Sequence, residues 1–204
     1  DIEAHHDFAR RCSEESIVLL KNEGNALPLA PNEKIAIIGD FAKVPRYQGA
    51  GSSKVNPTKL ENTLELIGEY AINYKGFAPG FHRYGKKKPG LIKQAKKLAE
   101  SANTLLVYLG LDEVTEAEGM DRENMRLPQN QIDLLKELST LGKRIVVVLS
   151  CGSAIEMEWT DYADAVVHAS LSGQAGASAV LNILFGRVNP SGKLAESYPI
   201  RYED

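Results

Sequence analysis

The chain alternates short apolar runs with longer stretches that are apolar on one side only. Residues 34–38, 104–109, 144–149 and 163–169 are nearly continuous apolar runs. Runs of this length, rich in Ile, Val and Leu, predict strands covered on both faces. A fifth, weaker strand is expected at 71–75. Between them the spacing of apolar positions predicts amphipathic helices over 1–22, 57–68, 91–101, 128–141 and 173–185. Asp1 stands as N-cap of the first, Pro57 and Pro128 at the starts of two others, and Gly24, Gly142 and Gly186 just past three ends. Residues 26–29 read as an extended apolar clip, and 193–199 as a final extended stretch after the turn Asn189-Pro190-Ser191-Gly192. Strands alternating with helices, without internal repeat or low-complexity linker, specify an α/β fold: a mostly parallel sheet with helices on both faces.

The rest of the chain is organised around residues 105–127. The apolar run Leu105 to Leu109 stops at Gly110 and opens into a loop holding Asp112, Glu113, Glu116, Glu118, Asp121 and Glu123, with Arg122 among them. In open α/β sheets, ligands bind where loops leave the carboxyl ends of strands, so a long acidic loop there is a place for proton chemistry. The plain alternative is a solvated acidic surface. A general acid at neutral pH needs its carboxyl pKa raised by like charges or desolvation. Glu116 and Asp121 could raise that of Glu118. Arg122 would oppose them or tie down Asp121 or Glu123. Gly119 would let the loop turn sharply, so that Glu118 projects.

Composition narrows the picture. With 204 residues, 43% of them hydrophobic, the chain is long enough to bury roughly 70% of its unfolded surface as one domain. A net charge of −3 gives no reason to expect a nucleic acid or an anionic membrane as partner. No apolar stretch approaches the ~20 residues that span a bilayer. Cys12 and Cys151 are too few for a disulfide framework and lack metal spacing. They are expected to be buried thiols of a reducing compartment, which favours the cytoplasm. His5 and His6 are adjacent and point to different helix faces, so no metal is expected there.

Other chemistries find little support. Gly49-Ala50-Gly51-Ser52-Ser53-Lys54 resembles a phosphate cradle only faintly. Its glycines lie ten residues past Gly39, the third glycine is missing, and Asn56-Pro57 intervenes. The better reading is backbone that closely approaches a ligand or a neighbouring domain. Cys151-Gly152-Ser153 follows a strand but is not a nucleophile elbow, and His168 reads as a satisfied core or sheet-end histidine.

Two stretches carry a family resemblance: Glu116-Ala117-Glu118-Gly119-Met120-Asp121-Arg122-Glu123-Asn124-Met125 and Pro45-Arg46-Tyr47-Gln48-Gly49-Ala50-Gly51-Ser52-Ser53. With residues 15–23, 27–29, 173–174 and 184–194, they make the sequence similar to glycoside hydrolase family 3. The resemblance implies that residues 1–204 form the family's second domain, a three-layer α/β/α sandwich around a mostly parallel, about six-stranded sheet. It implies a retaining β-glucosidase, with β-xylosidase or a non-catalytic carbohydrate-binding or scaffold module as alternatives. The acid/base falls on Glu118, with Glu116 as fallback. Arg46, Tyr47, Gln48 and Ser52 would rim the leaving-group side of the sugar pocket, supported by Gly119, Asp121 and Arg122. Some relatives place a Trp clamp in this loop, whereas this chain has Ala50-Gly51-Ser52. No cofactor or metal is implied. The implied partners are a β-linked glucoside or oligosaccharide and a (β/α)₈ barrel domain that bears the nucleophilic Asp. That barrel is absent from these 204 residues, so the chain alone is expected to fold without turning over substrate.

Overall fold

The computed structural model describes residues 1–204. Six strands form one sheet: β1 (Val18–Asn22), β2 (Lys34–Ile38), β3 (Asn73–Ala78), β4 (Thr104–Gly110), β5 (Arg144–Ser150) and β6 (Ala165–His168). Their order across the sheet is β1-β6-β5-β4-β2-β3. All neighbours are parallel except β1, which pairs antiparallel with β6 at one edge. Helices α1 (Ile2–Ser16), α2 (Thr63–Leu66) and α5 (Gly176–Leu184) pack together, and α3 (Pro89–Ala99) packs with α4 (Gln129–Ser139). The expected α/β/α sandwich around a six-stranded sheet is therefore present.

The apolar runs sit where burial on both faces demands them. Leu105, Leu106, Val107 and Leu109 of β4 are fully buried, as are Val146, Val147 and Leu149 of β5. At the sheet's carboxyl edge, Gln131 at the start of α4 is fully buried. Its side-chain amide donates to the Gly110 carbonyl at 2.8 Å and accepts from the Gly110 N–H at 2.9 Å. That fixes the point at which the acidic loop leaves β4.

Several boundaries differ from the expectation. The first helix stops at Ser16 rather than at residue 22. The four successive apolar residues 17–20, two of them β-branched, suit an edge strand better than a helix stripe, and Ile17 turns extended at φ −66°, ψ 132°. The helix expected from Pro57 begins at Asn62, whose side chain caps Glu65 N–H at 3.1 Å. Residues 57–61 are instead held by tertiary bonds. Glu61 N–H donates to the Gln174 carbonyl at 3.0 Å, and the Glu61 carboxylate meets buried His6 and the Ser178 N–H. Strand β3 lies two to three residues later than the weak pattern indicated. Residues 193–199 join no ladder. Cys151 is buried as expected, but Cys12 is exposed, because its face of α1 looks outward.

Truncating the central strand should cost most. Leu106→Ala is expected to lower stability by about 2–5 kcal/mol, read from the urea unfolding midpoint. Ile72→Ala, at 81% exposure, should stay within about 0.5 kcal/mol of the parent.

Candidate active site

The chain runs outward from β2 to β3, returns to β4 beside β2, and then continues to β5 and β6 on the other side. The loops after β2 and β4 therefore part company at the sheet's carboxyl edge, the switch point at which open α/β sheets leave a crevice. The 45–53 loop follows β2, the acidic loop follows β4, and residues 151–154 follow β5. All three meet above this crevice.

Their junction is built on Arg46 and Glu116. The Arg46 side chain is 1% exposed. It donates to the Glu116 carbonyl at 2.8 Å and to the Gln48 carbonyl. The Glu116 carboxylate lies 3.8 Å from the same guanidinium. It accepts from Gly152 N–H at 2.9 Å and from Ser153 Oγ at 2.6 Å. Glu116 thus faces inward and joins all three loops.

Glu118, two residues on, faces outward. Met120 N–H donates to the Ala117 carbonyl at 3.2 Å, and Gly119 between them has φ +74°. This is a type II turn, which needs glycine at its third position. The turn presents Glu118 at its second position, as its sequence led one to expect. The exposed Glu118 carboxylate accepts from Ser52 N–H at 2.7 Å and from Ser52 Oγ. Gly51, at φ +96°, makes room for this contact: a Cβ there would stand 2.7 Å from Glu118 Cβ and 2.8 Å from Oε2.

The expected elevation of the Glu118 pKa is not found. Hydrogen bonds from the Ser52 side chain and backbone favour the carboxylate and hold its pKa below the ordinary value. Neither Glu116 nor Asp121 opposes them, because Glu116 is turned toward Gly152 and Ser153.

The remaining predicted residues divide by task. Tyr47 and Gln48 close the 48–55 loop on itself. Gln48 donates to Tyr47 Oη at 2.7 Å and to the Val55 carbonyl at 2.8 Å, and accepts from Val55 N–H at 2.9 Å. Arg122 ties down neither Asp121 nor Glu123. It donates to Ser153 Oγ at 2.8 Å and the Ala154 carbonyl at 3.0 Å, fastening the acidic loop to the loop after β5. Asp121 is exposed. Asp112 is buried and organises the loop's first turn through Val114 N–H, Thr115 N–H and Thr115 Oγ1. Arg83 bridges Glu113 and Asp40 and stacks over Phe41. Sequence reasoning passed over Arg83 and Leu171, which carry no motif signal, and weighed Gly152 and Ser153 only as a nucleophile turn, not as partners of Glu116. Around Glu118 the three loops, with Leu171 after β6, leave a depression of about 270 Å³. A larger groove of about 660 Å³, beside α4 and the turn at Glu158–Tyr162, contains none of these residues.

Ser52→Ala should move the Glu118 titration upward, read as the pH dependence of its side-chain carboxyl ¹³C shift. Because the native pKa is depressed, the Ser52 contact stabilises the fold above the ordinary carboxyl range and is lost as pH falls through the depressed value. An unmoved titration would mean that the contact is not populated. Glu116→Ala leaves buried Arg46 without its carboxylate and should cost about 2–3 kcal/mol in urea unfolding.

Comparison with known proteins identifies the family. Residues 17–204 match the family described as glycosyl hydrolase family 3 C-terminal domain. The chain is 43% identical over 210 residues to thermostable beta-glucosidase B of Acetivibrio thermocellus, covering 98% of this chain and 27% of that protein. It is 41% identical to exo-alpha-(1->6)-L-arabinopyranosidase of Bifidobacterium longum, covering all of this chain and 28% of that protein. The crystal structure of the Bifidobacterium adolescentis GH3 beta-glucosidase superposes with a TM-score of 0.93 at 42% identity, over 98% of this chain and 30% of that one. The 204 residues thus span under a third of the length of these relatives. The chain belongs to glycosyl hydrolase family 3, and corresponds to its C-terminal domain.

Proposed function

We propose that this chain is the acid/base-bearing part of a retaining β-glucosidase that removes terminal β-D-glucosyl units, with Glu118 as the acid/base. The observation that carries this reading is the outward Glu118 carboxylate, held on a type II turn over the crevice at the switch point. Its fallback, Glu116, is bound by Gly152 and Ser153 and is poorly placed to move a proton.

In the proposed reaction the nucleophile is an Asp on a preceding (β/α)₈ barrel. Its carboxylate attacks the anomeric carbon while the carboxyl of Glu118 gives its proton to the departing glycosidic oxygen. The resulting glycosyl ester is then cleaved by water, whose proton returns to Glu118. A retaining pair requires the two carboxyls ~5–5.5 Å apart, so half of the site lies outside these residues. The resting contact with Ser52 favours the anion. Protonation therefore requires the carboxyl to leave Ser52 or a second carboxylate to approach it. Arg46, Tyr47, Gln48 and Ser52 form the loop that borders the leaving-group side. The names of the relatives include a glucosidase and an arabinopyranosidase, so the pyranoside varies between proteins similar to this chain. A β-xyloside is the nearest alternative substrate.

The test is Glu118→Gln in the full-length protein that carries this segment. Cleavage of methyl β-glucoside, whose leaving group needs a proton, should fall about 10²- to 10⁴-fold. Cleavage of 2,4-dinitrophenyl β-glucoside, read from the first turnover, should fall far less. Equal losses on both substrates would remove Glu118 from the role.

A further inference from the structure

The depression beside Glu118 is unusual in what its polar groups leave free. Arg46 spends its hydrogen bonds on the Glu116 and Gln48 carbonyls, and Glu116 on Gly152 and Ser153. Tyr47, Gln48 and Val55 satisfy one another. The Ala50 carbonyl takes the Glu118 N–H at 3.3 Å. The guanidinium nitrogens without a partner, on Arg46 and Arg122, are shut off from solvent. Apart from Glu118 itself, the side chains that remain open along the depression are apolar: Ala50, Ala117, Met120 and Leu171.

Met120 is placed there by the same turn that presents Glu118. It occupies the fourth position, bonded to the Ala117 carbonyl, and is 59% exposed. Leu171, in the loop after β6, closes the far side beside Gly152. A Cβ on that glycine would lie 3.2 Å from Leu171 Cδ1. A proton donor must lie against the oxygen it protonates, so whatever group departs from that oxygen lies alongside these carbons. The volume of about 270 Å³ falls just below the ~300–1,000 Å³ of drug-sized sites, which suits one ring or a short alkyl chain.

We propose that Met120 and Leu171 form an apolar wall for the leaving group and make this chain select alkyl and aryl β-glycosides over those whose leaving group is a second sugar. This inference rests on Glu118 being the acid/base. On this side of the site a second sugar would set its hydroxyls against apolar side chains, with no uncommitted polar side chain of these loops beyond Glu118 to receive them, whereas an alkyl or aryl group loses nothing.

The experiment compares n-butyl with methyl β-D-glucoside, whose leaving alcohols are similarly basic, and both with cellobiose, in the full-length protein. The native protein should have a higher kcat/KM for the butyl glycoside than for the other two. Met120→Gln, and separately Leu171→Asn, should each cut the butyl-to-methyl ratio about three- to tenfold, at or below the lower end of the ~10- to 200-fold that a methylene commands in a closed pocket. An unchanged ratio in both variants, with Glu118→Gln still crippling, would overturn the wall and leave the acid/base assignment standing. A fall in thermal midpoint without a change of ratio would also overturn it, since Met120 would then be packed against another part of the protein. A harmless Glu118→Gln would remove the reading on which the wall depends.

Discussion

Three loops that share no sequence neighbourhood are held together by one buried cation and one carboxylate. Arg46 comes from the loop after β2, Glu116 from the loop after β4, and Gly152 and Ser153 from the loop after β5. Burying a guanidinium is costly unless its hydrogen bonds are met. Arg46 is met largely by backbone carbonyls, so its position depends on the path of the loops, and their path depends on it. The loops over the crevice keep their shape because this junction ties them together.

The junction also explains how two glutamates two residues apart come to differ. Glu116 is drawn inward by the Gly152 N–H and the Ser153 hydroxyl. The chain then turns over Gly119 and sends Glu118 out toward Ser52. One carboxylate is spent on architecture so that the other can be presented. On the proposed mechanism the presented group rests as an anion, since Ser52 supplies two hydrogen bonds to it. On that mechanism the proton is loaded when the carboxyl leaves Ser52 or when a second carboxylate approaches it. Such a division of labour suits a domain that supplies one half of a catalytic pair.

Behind the junction lies a layer of support. The stretch 193–199 crosses the carboxyl edge without joining the sheet. Tyr198 meets His168 at the end of β6, and His168 Nδ1 accepts from Ser170 N–H at 2.9 Å. Glu196 accepts from Ala154 N–H at 3.1 Å, which steadies the loop bearing Ser153. Burial pushes the Cys151 thiol up to about 12, with the nearby Glu116 charge adding to the effect. This cysteine is therefore a protonated packing group rather than a nucleophile. Burial likewise pushes the Tyr198 hydroxyl up and the His168 ring down, so this pair stays uncharged near neutrality.

What the sequence determined by itself was whatever depends on local periodicity and local turn chemistry. The apolar runs of β2, β4, β5 and β6 could be buried only as two-sided strands, and their alternation with helices left a mostly parallel sheet as the outcome. Gly119 announced a turn that projects Glu118, because a positive φ is a property of one residue and its neighbours. Tertiary structure decided the rest. Residues 17–22 pattern acceptably as the end of a helix and became an edge strand because β6 offered a partner. Pro57 could have opened a helix, but Glu61 found better bonds with His6 and Ser178. The environment of Glu118 was misjudged for the same reason. Nearby charges in sequence suggested a raised pKa, whereas Ser52, 66 residues away, came to lie against the carboxylate and lowered it. Charges act through distance in space, and only the folded chain sets that distance.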